Sequence, residues 1–267
     1  MSVDHTGLLA EIAAYCREMK LPTVAKECEP RAAEVRRAKA DALLLVQSLL
    51  AAEHDERARR RTQRRIKEAH FPQLKTLEGF DFGRNHSLDE AKIRELMELD
   101  FVGAGRPVLL LGGTGTGKTH LATALGVAAC ARGKAVRFVT TAALVNELTE
   151  AADSRALSRV VGRYARVELL VLDELGYVPL SPVASQLLFQ VVAERGERRA
   201  TVVTTNLPFG EWTTIIPDPR LCRAFVERMT YRAHIIETGD QSIRLDEMLA
   251  LARKSRKEAR REPEALE

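Results

Sequence analysis

Residues 112–119 read Gly-Gly-Thr-Gly-Thr-Gly-Lys-Thr, which matches the pattern G-x-x-x-x-G-K-[ST] of a phosphate-binding loop. The apolar run Val108–Leu111 precedes this loop and predicts a buried strand, and residues 120–125 begin a helical pattern. Glycines let backbone N–H groups curl around phosphate oxygens, and the following helix points the positive end of its dipole at the same anion. The stretch therefore predicts a strand–loop–helix unit that binds the phosphates of a nucleotide.

Every residue of this loop is a candidate contact to the nucleotide. Lys118 has the length to reach the β- and γ-phosphates, and the Thr119 hydroxyl is a suitable ligand for Mg²⁺. His120 adjoins the loop and is expected to pack near the nucleotide. The predicted nucleotide-binding residues are Gly112, Gly113, Thr114, Gly115, Thr116, Gly117, Lys118, Thr119 and His120.

Two acids follow a second apolar run at 169–172. In open α/β sheets, ligands bind at the carboxyl ends of the strands, so Asp173 and Glu174 are expected to face the phosphate loop. We expect Asp173 to hold Mg²⁺, directly or through water. We expect Glu174 to polarise the attacking water as a general base.

Further candidates lie beyond the next predicted strand, which ends in Thr-Thr-Asn at 204–206. The amide of Asn206 is placed to hydrogen-bond the γ-phosphate or the attacking water. An arginine supplied by a neighbouring subunit can stabilise a transferring phosphoryl group. Arg223, Arg228 and Arg232 are candidates for that role, and their spacing does not distinguish between them.

Strands and helices alternate from residue 108 onward. Five short apolar runs separated by helical patterns predict an α/β fold with a five-stranded parallel sheet flanked by helices. The predicted strands are 108–111, 135–140, 169–172, 200–205 and 233–237. The predicted helices between them are 119–132, 182–194 and 219–229, with one or two further helices over 142–164.

The residues before the sheet predict a small all-α region. Pro22 ends or redirects a first amphipathic helix, and Pro30 suits the start of a second. Residues 32–67 contain no proline or glycine, so we expect one unbroken helix there. A further helix is expected over 88–101, with Ser87 as a possible N-cap. We therefore predict a helical domain at 1–72, a nucleotide-binding domain at 73–248 and a charged tail at 249–267.

A basic run lies at the end of the predicted long helix. It either contacts the phosphate backbone of DNA or forms a solvated helix face, and the sequence does not separate these alternatives. The candidate DNA-binding residues are Arg59, Arg60, Arg61, Arg64 and Arg65.

Composition narrows the class of protein. Charged residues make up 29% and the net charge is +4, an ordinary balance for a soluble chain. The four cysteines show no metal-binding spacing, which favours reduced thiols. No apolar stretch is long enough to span a bilayer, and no signal-peptide pattern is present, so we expect a cytoplasmic protein without a membrane partner.

These motifs together resemble the IstB-like transposition helper ATPases, which belong to the AAA+ class near the DnaC-type helicase loaders. The resemblance is carried by residues 109–122, by Asp-Glu-Leu-Gly-Tyr at 173–177 and by Thr-Asn-Leu-Pro-Phe at 205–209 with Glu211 and Trp212. Weaker similarity covers 87–101 and the helical region that ends at 64–72. The similarity thus extends over nearly the whole chain.

The resemblance implies an AAA+ ATPase that uses ATP and Mg²⁺, forms a homo-oligomer on double-stranded DNA, remodels it and passes it to a partner transposase. It implies a sensor role for Asn206 and favours Arg228 as the arginine that acts on the neighbouring subunit. The family often has Asp-Arg-Leu where this chain has Glu-Arg-Met at 227–229. The alternatives are a replicative helicase loader, a small-molecule kinase and a nucleotide-locked scaffold.

Overall fold

The computed structural model describes residues 5–240 and 242. The chain divides into two compact units, Met1–Arg64 and Arg65–Glu267, and the boundary falls within the third helix. The predicted tail at 249–267 lies outside the described residues. None of the helices in the described part of the chain is long and apolar enough to cross a membrane.

Helices account for the regular structure described in the first unit, as predicted. They are α1 His5–Glu18, α2 Pro22–Ala38 and α3 Ala42–Ala69, the last of which continues past the unit boundary. The helix start expected at Pro30 is wrong, because Pro22 occupies the first turn of α2 and Pro30 lies inside that helix. A proline fits the first turn of a helix because the N–H it lacks would have no partner there.

A break at Lys39 separates α2 from α3, so the unbroken helix expected over 32–67 is wrong. Lys39 adopts a left-handed backbone with φ of 50°, and its N–H bonds back to the Arg36 carbonyl oxygen. Asp41 then accepts a hydrogen bond from the Leu43 N–H at 2.7 Å, ahead of α3. Neither glycine nor proline marks this end of a helix, although left-handed ends usually carry glycine.

Two short helices stand where one was expected over 88–101. They are α4 Glu90–Leu96 and α5 Asp100–Gly103, and Leu99 between them is left-handed with φ of 63°. The side chain of Asp89, not Ser87, caps α4 by accepting a hydrogen bond from the Lys92 N–H. Two 3₁₀ turns, Leu77–Gly79 and Phe82–Arg84, precede these helices.

The second unit contains the five-stranded parallel sheet that the alternating pattern predicts. Its strands lie in the order β2-β3-β4-β1-β5, so β4 separates β1 from β3. The strands are β1 Val108–Leu111, β2 Val136–Thr140, β3 Leu169–Leu175, β4 Ala200–Thr205 and β5 His234–Glu237. The helices that follow these strands are α6 Lys118–Ala131, α7 Thr141–Asp153, α8 Leu157–Arg166, α9 Pro182–Arg195 and α10 Pro219–Thr230.

Strand β3 is longer than its apolar run and contains a bulge. Leu172 pairs with Val203, but Leu175 pairs with Thr205, so β3 has one extra residue between these pairs. Glu174 lies in this bulge with φ of 61°. A bulge re-aims side chains next to it, and here it leaves Asp173 buried and Glu174 exposed.

Aliphatic side chains bury both faces of the sheet. Leu170 and Leu172 of β3 pack into the cluster on one face, while Val171 between them packs into the cluster on the other. Successive residues of a strand point to opposite faces, and apolar side chains on both faces are typical of a parallel sheet that helices cover. The core therefore fixes the positions of the strand ends that carry polar residues.

Candidate functional site

The phosphate loop begins at the end of β1 and leads directly into α6. Gly117 closes it with φ of 98°, and a Cβ built there would lie 2.6 Å from Cε2 of Phe80. Gly112 has φ of 147°, and a Cβ there would lie 2.3 Å from Oγ1 of Thr238. Both positions therefore require glycine for conformation and for space. Phe80 and Thr238 therefore leave no room for a side chain at these two positions of the loop.

Lys118 lies across this loop. Its side chain is buried, and Nζ donates hydrogen bonds to the carbonyl oxygens of Gly112 at 2.8 Å and Gly113 at 2.6 Å. Burial lowers the pKa of the Lys118 ammonium, and the carboxylates of Asp173 and Asp240 oppose that shift. The ammonium is therefore held inside the loop, in the concavity where backbone N–H groups can receive phosphate oxygens.

Thr119 and Asp173 are brought together by β1, β3 and α6, as the sequence predicts. The Thr119 hydroxyl lies 3.1 Å and 3.2 Å from the two carboxylate oxygens of Asp173. A hydroxyl beside a carboxylate is a hard oxygen set that suits Mg²⁺, which keeps several waters and phosphate oxygens as its other ligands. No cluster of three or more His, Cys, Asp or Glu side chains suited to a metal occurs within the described ranges.

Thr204 on β4 joins Asp173 to Glu174. Its hydroxyl donates to Oδ1 of Asp173 and accepts the Glu174 N–H at 2.9 Å. The bulge takes the Glu174 N–H out of the regular ladder, and the threonine hydroxyl satisfies that donor. Thr204 was not among the predicted site residues, although the polar Thr-Thr-Asn end of β4 was a signal that could have found it.

A buried polar network supports the phosphate loop from below. The Asn85 side-chain amide donates to the carbonyl oxygens of Thr116 at 3.0 Å and Thr238 at 2.9 Å. The hydroxyls of Thr116 and Thr238 lie 2.6 Å apart. Asn85 and Thr238 were also missed, and they lie far from the motif in sequence, where no local pattern marks them.

A cavity of about 300 Å³ opens beside the loop. Of the predicted residues, Thr114, Gly115, Gly117, Lys118, Thr119, His120 and Glu174 line it. Phe80 and Asp81, from the segment before α4, form part of its wall, and the Phe80 ring meets His120 edge-on at 5.2 Å. Gly112, Gly113, Thr116 and Asp173 do not line this cavity. The Gly113 N–H donates to the Gly239 carbonyl oxygen at 2.8 Å.

Asn206 does not line this cavity. Its Oδ1 is buried and has no hydrogen-bond partner among the described residues. A Cβ built at Gly176 would lie 3.2 Å from this oxygen, so the amide packs against the backbone just beyond the bulge. The structure places Asn206 next to the segment that carries Glu174, and its sensor role stays a prediction.

Arg228 lies near the amino ends of the strands, whereas the phosphate loop lies at their carboxyl ends. We call these two sides the amino edge and the carboxyl edge of the sheet. With Arg232, Arg228 lines a cavity of about 590 Å³, together with Arg106, Pro107 and Glu197, which precede the starts of β1 and β4. Its guanidinium stands 5.7 Å from the centre of the Phe189 ring and donates to the Ala193 carbonyl oxygen at 3.4 Å. Arg223 is exposed on the same helix and does not line this cavity.

The basic run on α3 is exposed apart from the half-buried Arg65, and its charge is partly neutralised within the helix. Glu56 pairs with both Arg59 at 2.7 Å and Arg60 at 2.6 Å, and Arg65 lies 3.5 Å from Glu68. Arg61 and Arg64 are exposed on the same helix. Ion pairs of this kind are weak, so they do not prevent these arginines from binding phosphate. The DNA-binding role of these residues stays a prediction.

Comparison with solved structures confirms the predicted α/β fold, in which helices flank a parallel sheet. AMPPCP-bound DnaA from Aquifex aeolicus is similar with a TM-score of 0.52 and 22% identity over 62% of this chain and 50% of that one. DnaI is similar with a TM-score of 0.52 and 22% identity over 61% of this chain and 90% of that one. This chain thus spans about half the length of the DnaA protein it matches.

Closer relatives share the sequence as well as the fold. A protein of Geobacillus stearothermophilus, named for insertion sequence IS5376 and for ATP binding, is 36% identical over 88% of this chain and 94% of its own length. A protein of Pseudomonas aeruginosa, named for insertion sequence IS21 and for ATP binding, is 35% identical over 72% of each chain. The family described as IstB-like ATP binding protein matches residues 14–250. The phosphate loop and the strand ends around it are therefore the candidate nucleotide site of a chain that belongs to the family of IstB-like ATP-binding proteins.

Proposed function

We propose that the chain is a DNA-dependent ATPase that helps transposition. It forms a homo-oligomer on double-stranded DNA, remodels that DNA and passes it to a partner transposase. The observation that carries the proposal is the hydrogen-bonded set of Thr119, Asp173 and Thr204, with Glu174 lining the same cavity as the phosphate loop. This is an arrangement for hydrolysis, because it brings a metal-binding pair and a general base to one place.

The phosphate loop binds the triphosphate in this proposal. Backbone N–H groups of the loop and the start of α6 receive the phosphate oxygens. Lys118 exchanges its bonds to the Gly112 and Gly113 carbonyl oxygens for bonds to the β- and γ-phosphates. Thr119 and Asp173 would hold Mg²⁺, which neutralises charge on the phosphate oxygens when it is bound.

Glu174 activates the attacking water. Its exposed carboxylate orients a water molecule toward the γ-phosphorus and accepts the proton as the new P–O bond forms. The bond from the γ-phosphorus to the β,γ-bridging oxygen breaks in the same reaction, so ADP and inorganic phosphate are the products. Thr204 fixes the backbone of Glu174 through the bond from the Glu174 N–H, so the carboxylate starts from a defined position. Asn206 lies close to the same segment and is proposed to sense the γ-phosphate through its amide.

Neighbouring copies complete the site in this proposal. Arg228 lies at the amino edge of the sheet and is exposed, whereas the phosphate loop lies at the carboxyl edge. Arg228 therefore acts on the nucleotide held by an adjacent copy, where a guanidinium stabilises the charge of the transferring phosphoryl group. Loss of the γ-phosphate removes that contact, which weakens the interface and releases DNA.

The names of the relatives favour a role in transposition over helicase loading. Relatives in Geobacillus stearothermophilus and Pseudomonas aeruginosa are named for insertion sequences. We expect a transposase gene beside the gene for this chain. Retention of a transposase, and not of a replicative helicase, in a pull-down with the ATP-loaded chain would separate the two functions.

Replacement of the general base tests the central step. Glu174→Gln is expected to lower kcat for ATP hydrolysis by about 10²–10⁴-fold, because the amide cannot accept the proton. Its complexes with ATP and duplex DNA should persist, as followed by gel shift and by phosphate release. Glu150→Gln, at an exposed glutamate of α7, is the matched control and should behave like the unchanged protein. Equal turnover in Glu174→Gln and the control would refute the assigned base.

A further inference from the structure

A second basic surface lies on the ATPase unit, where the sequence shows no continuous charge run. A cavity of about 620 Å³ opens between α8 and the connection from α9 to β4. Four exposed arginines line it, and we call it the arginine groove. Arg159 and Arg166 come from α8, and Arg198 and Arg199 come from the connection.

The floor of the arginine groove is made of small residues. Ser158, Gly162 and Ala165 line it from α8, at spacings that bring them to one face of the helix. A Cβ built at Gly162 would meet no atom within 4 Å. The floor is therefore open, and an elongated ligand can approach the helix backbone between the arginines.

Positive charge in the arginine groove exceeds the negative charge around it. Among the residues that the structure describes, no carboxylate forms a salt bridge with Arg159, Arg198 or Arg199. Glu168 feels the charge of Arg199, but it forms its salt bridge with Lys134 at 3.0 Å. By contrast, Arg163 on the other side of α8 is paired with Glu147.

A buried cation behind the arginine groove adds to its positive potential. Arg195 is fully buried and donates to the carbonyl oxygens of Tyr164, Val167 and Ala200. Burial, together with the smaller effect of the nearby Arg199 charge, lowers the pKa of Arg195 to about 9. Glu194 is the acidic residue that the groove lining includes, and it stands against four exposed arginines.

We propose that the arginine groove binds the phosphate backbone of DNA, which gives the ATPase unit a DNA contact separate from the basic run on α3. This inference rests on the proposed DNA-dependent function. Guanidinium groups match phosphate geometry through paired N–H donors. Arg159 and Arg166 are seven residues apart on α8, or about 10 Å along the helix axis, which suits a row of phosphates better than one small anion. The groove is formed by the segments that lead into β3 and β4, so it lies at the amino ends of these strands. DNA bound there would leave the nucleotide cavity at the carboxyl edge open.

Charge removal in the arginine groove is the first test. Full-length Arg159→Gln/Arg198→Gln is titrated with labelled duplex DNA in the presence of a non-hydrolysable ATP analogue, at several salt concentrations. The slope of log K against log salt is negative, and each lost phosphate contact makes it shallower by about 0.9. The slope of the double variant should therefore be shallower by about 1.8, and its affinity should fall at least about tenfold. Arg94→Gln/Arg132→Gln removes the same charge from exposed arginines outside the groove and should keep the wild-type slope.

Filling the arginine groove is the second test. Gly162→Asp adds a carboxylate on the open floor and should weaken duplex binding about tenfold or more by repelling phosphate. Gly162→Ala adds only a methyl group and should bind DNA like the unchanged protein. Because the added Cβ meets no atom within 4 Å, both variants are expected to fold, which circular dichroism checks.

The outcomes separate this inference from the proposed function. If the unchanged protein binds no duplex DNA, both are wrong. If it binds DNA and the two groove variants bind with the same slope and affinity, the arginine groove is not a DNA site although the proposed function stands. If the groove variants lose the nucleotide-dependent increase in size seen by light scattering without DNA, the groove is a protein interface and the inference is wrong.

Discussion

The two edges of the parallel sheet carry opposite kinds of polar side chain. At the carboxyl edge, Asp173 accepts hydrogen bonds from the hydroxyls of both Thr119 and Thr204. At the amino edge, Arg228 and Arg232 line an open cavity and are exposed. The polar groups of the carboxyl edge are therefore joined to one another, whereas the guanidinium groups of the amino edge face solvent.

This difference indicates how a catalytic site can be divided between copies of one chain. Strand β1 alone separates the two edges by about 13 Å, and the contacts of Arg228 to Phe189 and Ala193 hold it at the amino edge. In the proposed function, a site that lacks its arginine is slow until a second copy supplies it, so oligomerisation would control hydrolysis. A site complete within one copy would not allow that control.

The largest effect is expected from removing the arginine at the amino edge. Arg228→Ala should lower kcat by about 10³-fold or more, since an arginine supplied to a phosphoryl group contributes on this scale. Binding of a fluorescent ATP analogue to the isolated chain should stay unchanged, because Arg228 does not line the chain's own nucleotide cavity. Arg223→Ala is the matched control on the same helix.

Mixing two inactive variants sharpens this test. Arg228→Ala keeps an intact carboxyl edge, and Glu174→Gln keeps an intact amino edge, so mixed oligomers contain some complete interfaces. ATPase activity should recover in the mixture to a measurable fraction of the wild-type rate. Absence of any recovery, with mixed oligomers verified by light scattering, would contradict a site divided between copies.

A smaller loss is expected at the carboxyl edge from Thr204→Val. The substitution keeps the shape of the side chain but removes the hydroxyl that joins Asp173 to the Glu174 N–H. A displaced base lowers kcat by about 10- to 100-fold, while KM for ATP should change little. Thr204→Ser restores the hydroxyl and should recover most of kcat. Equal rates for the valine and serine variants would show that the hydroxyl does not position the base.

The same residues show how far the sequence predicts this site. The loop, Asp173 and Glu174 are local patterns next to apolar strands, so their placement at one edge followed from strand direction alone. Thr204 and Asn85 escaped prediction because their roles depend on a bulge in β3 and on contacts with residues distant in sequence. The helix break at Lys39 escaped because a lysine adopts the left-handed backbone that glycine usually supplies.

Asn85 tests whether the carboxyl edge depends on support from outside the strands. Asn85→Ala leaves the buried carbonyl oxygens of Thr116 and Thr238 without their donor. The free energy of unfolding should fall by about 1–3 kcal/mol, which is the usual cost of buried groups that lose a hydrogen bond. Urea unfolding measures the loss. Asn206→Ala is a useful contrast, because the Asn206 Oδ1 has no partner to lose within the described residues.

The smallest effect is expected from the basic run on α3. Some of its arginines form ion pairs with a glutamate of the same helix, unlike the exposed arginines of the arginine groove. Glu56 already neutralises part of the charge of Arg59 and Arg60, so fewer counterions are released when this surface meets DNA. Charge reversal at Arg60, Arg61, Arg64 and Arg65 should still weaken duplex binding and flatten its salt dependence. Per residue, however, the slope should change by less than the value of about 0.9 expected for a full phosphate contact.

Glu56→Gln should act in the opposite direction and steepen the slope, because it releases two arginines to bind phosphate. An unchanged slope in both variants would mean that these side chains do not touch DNA, and that arginines bound to a neighbouring carboxylate form a solvated helix face.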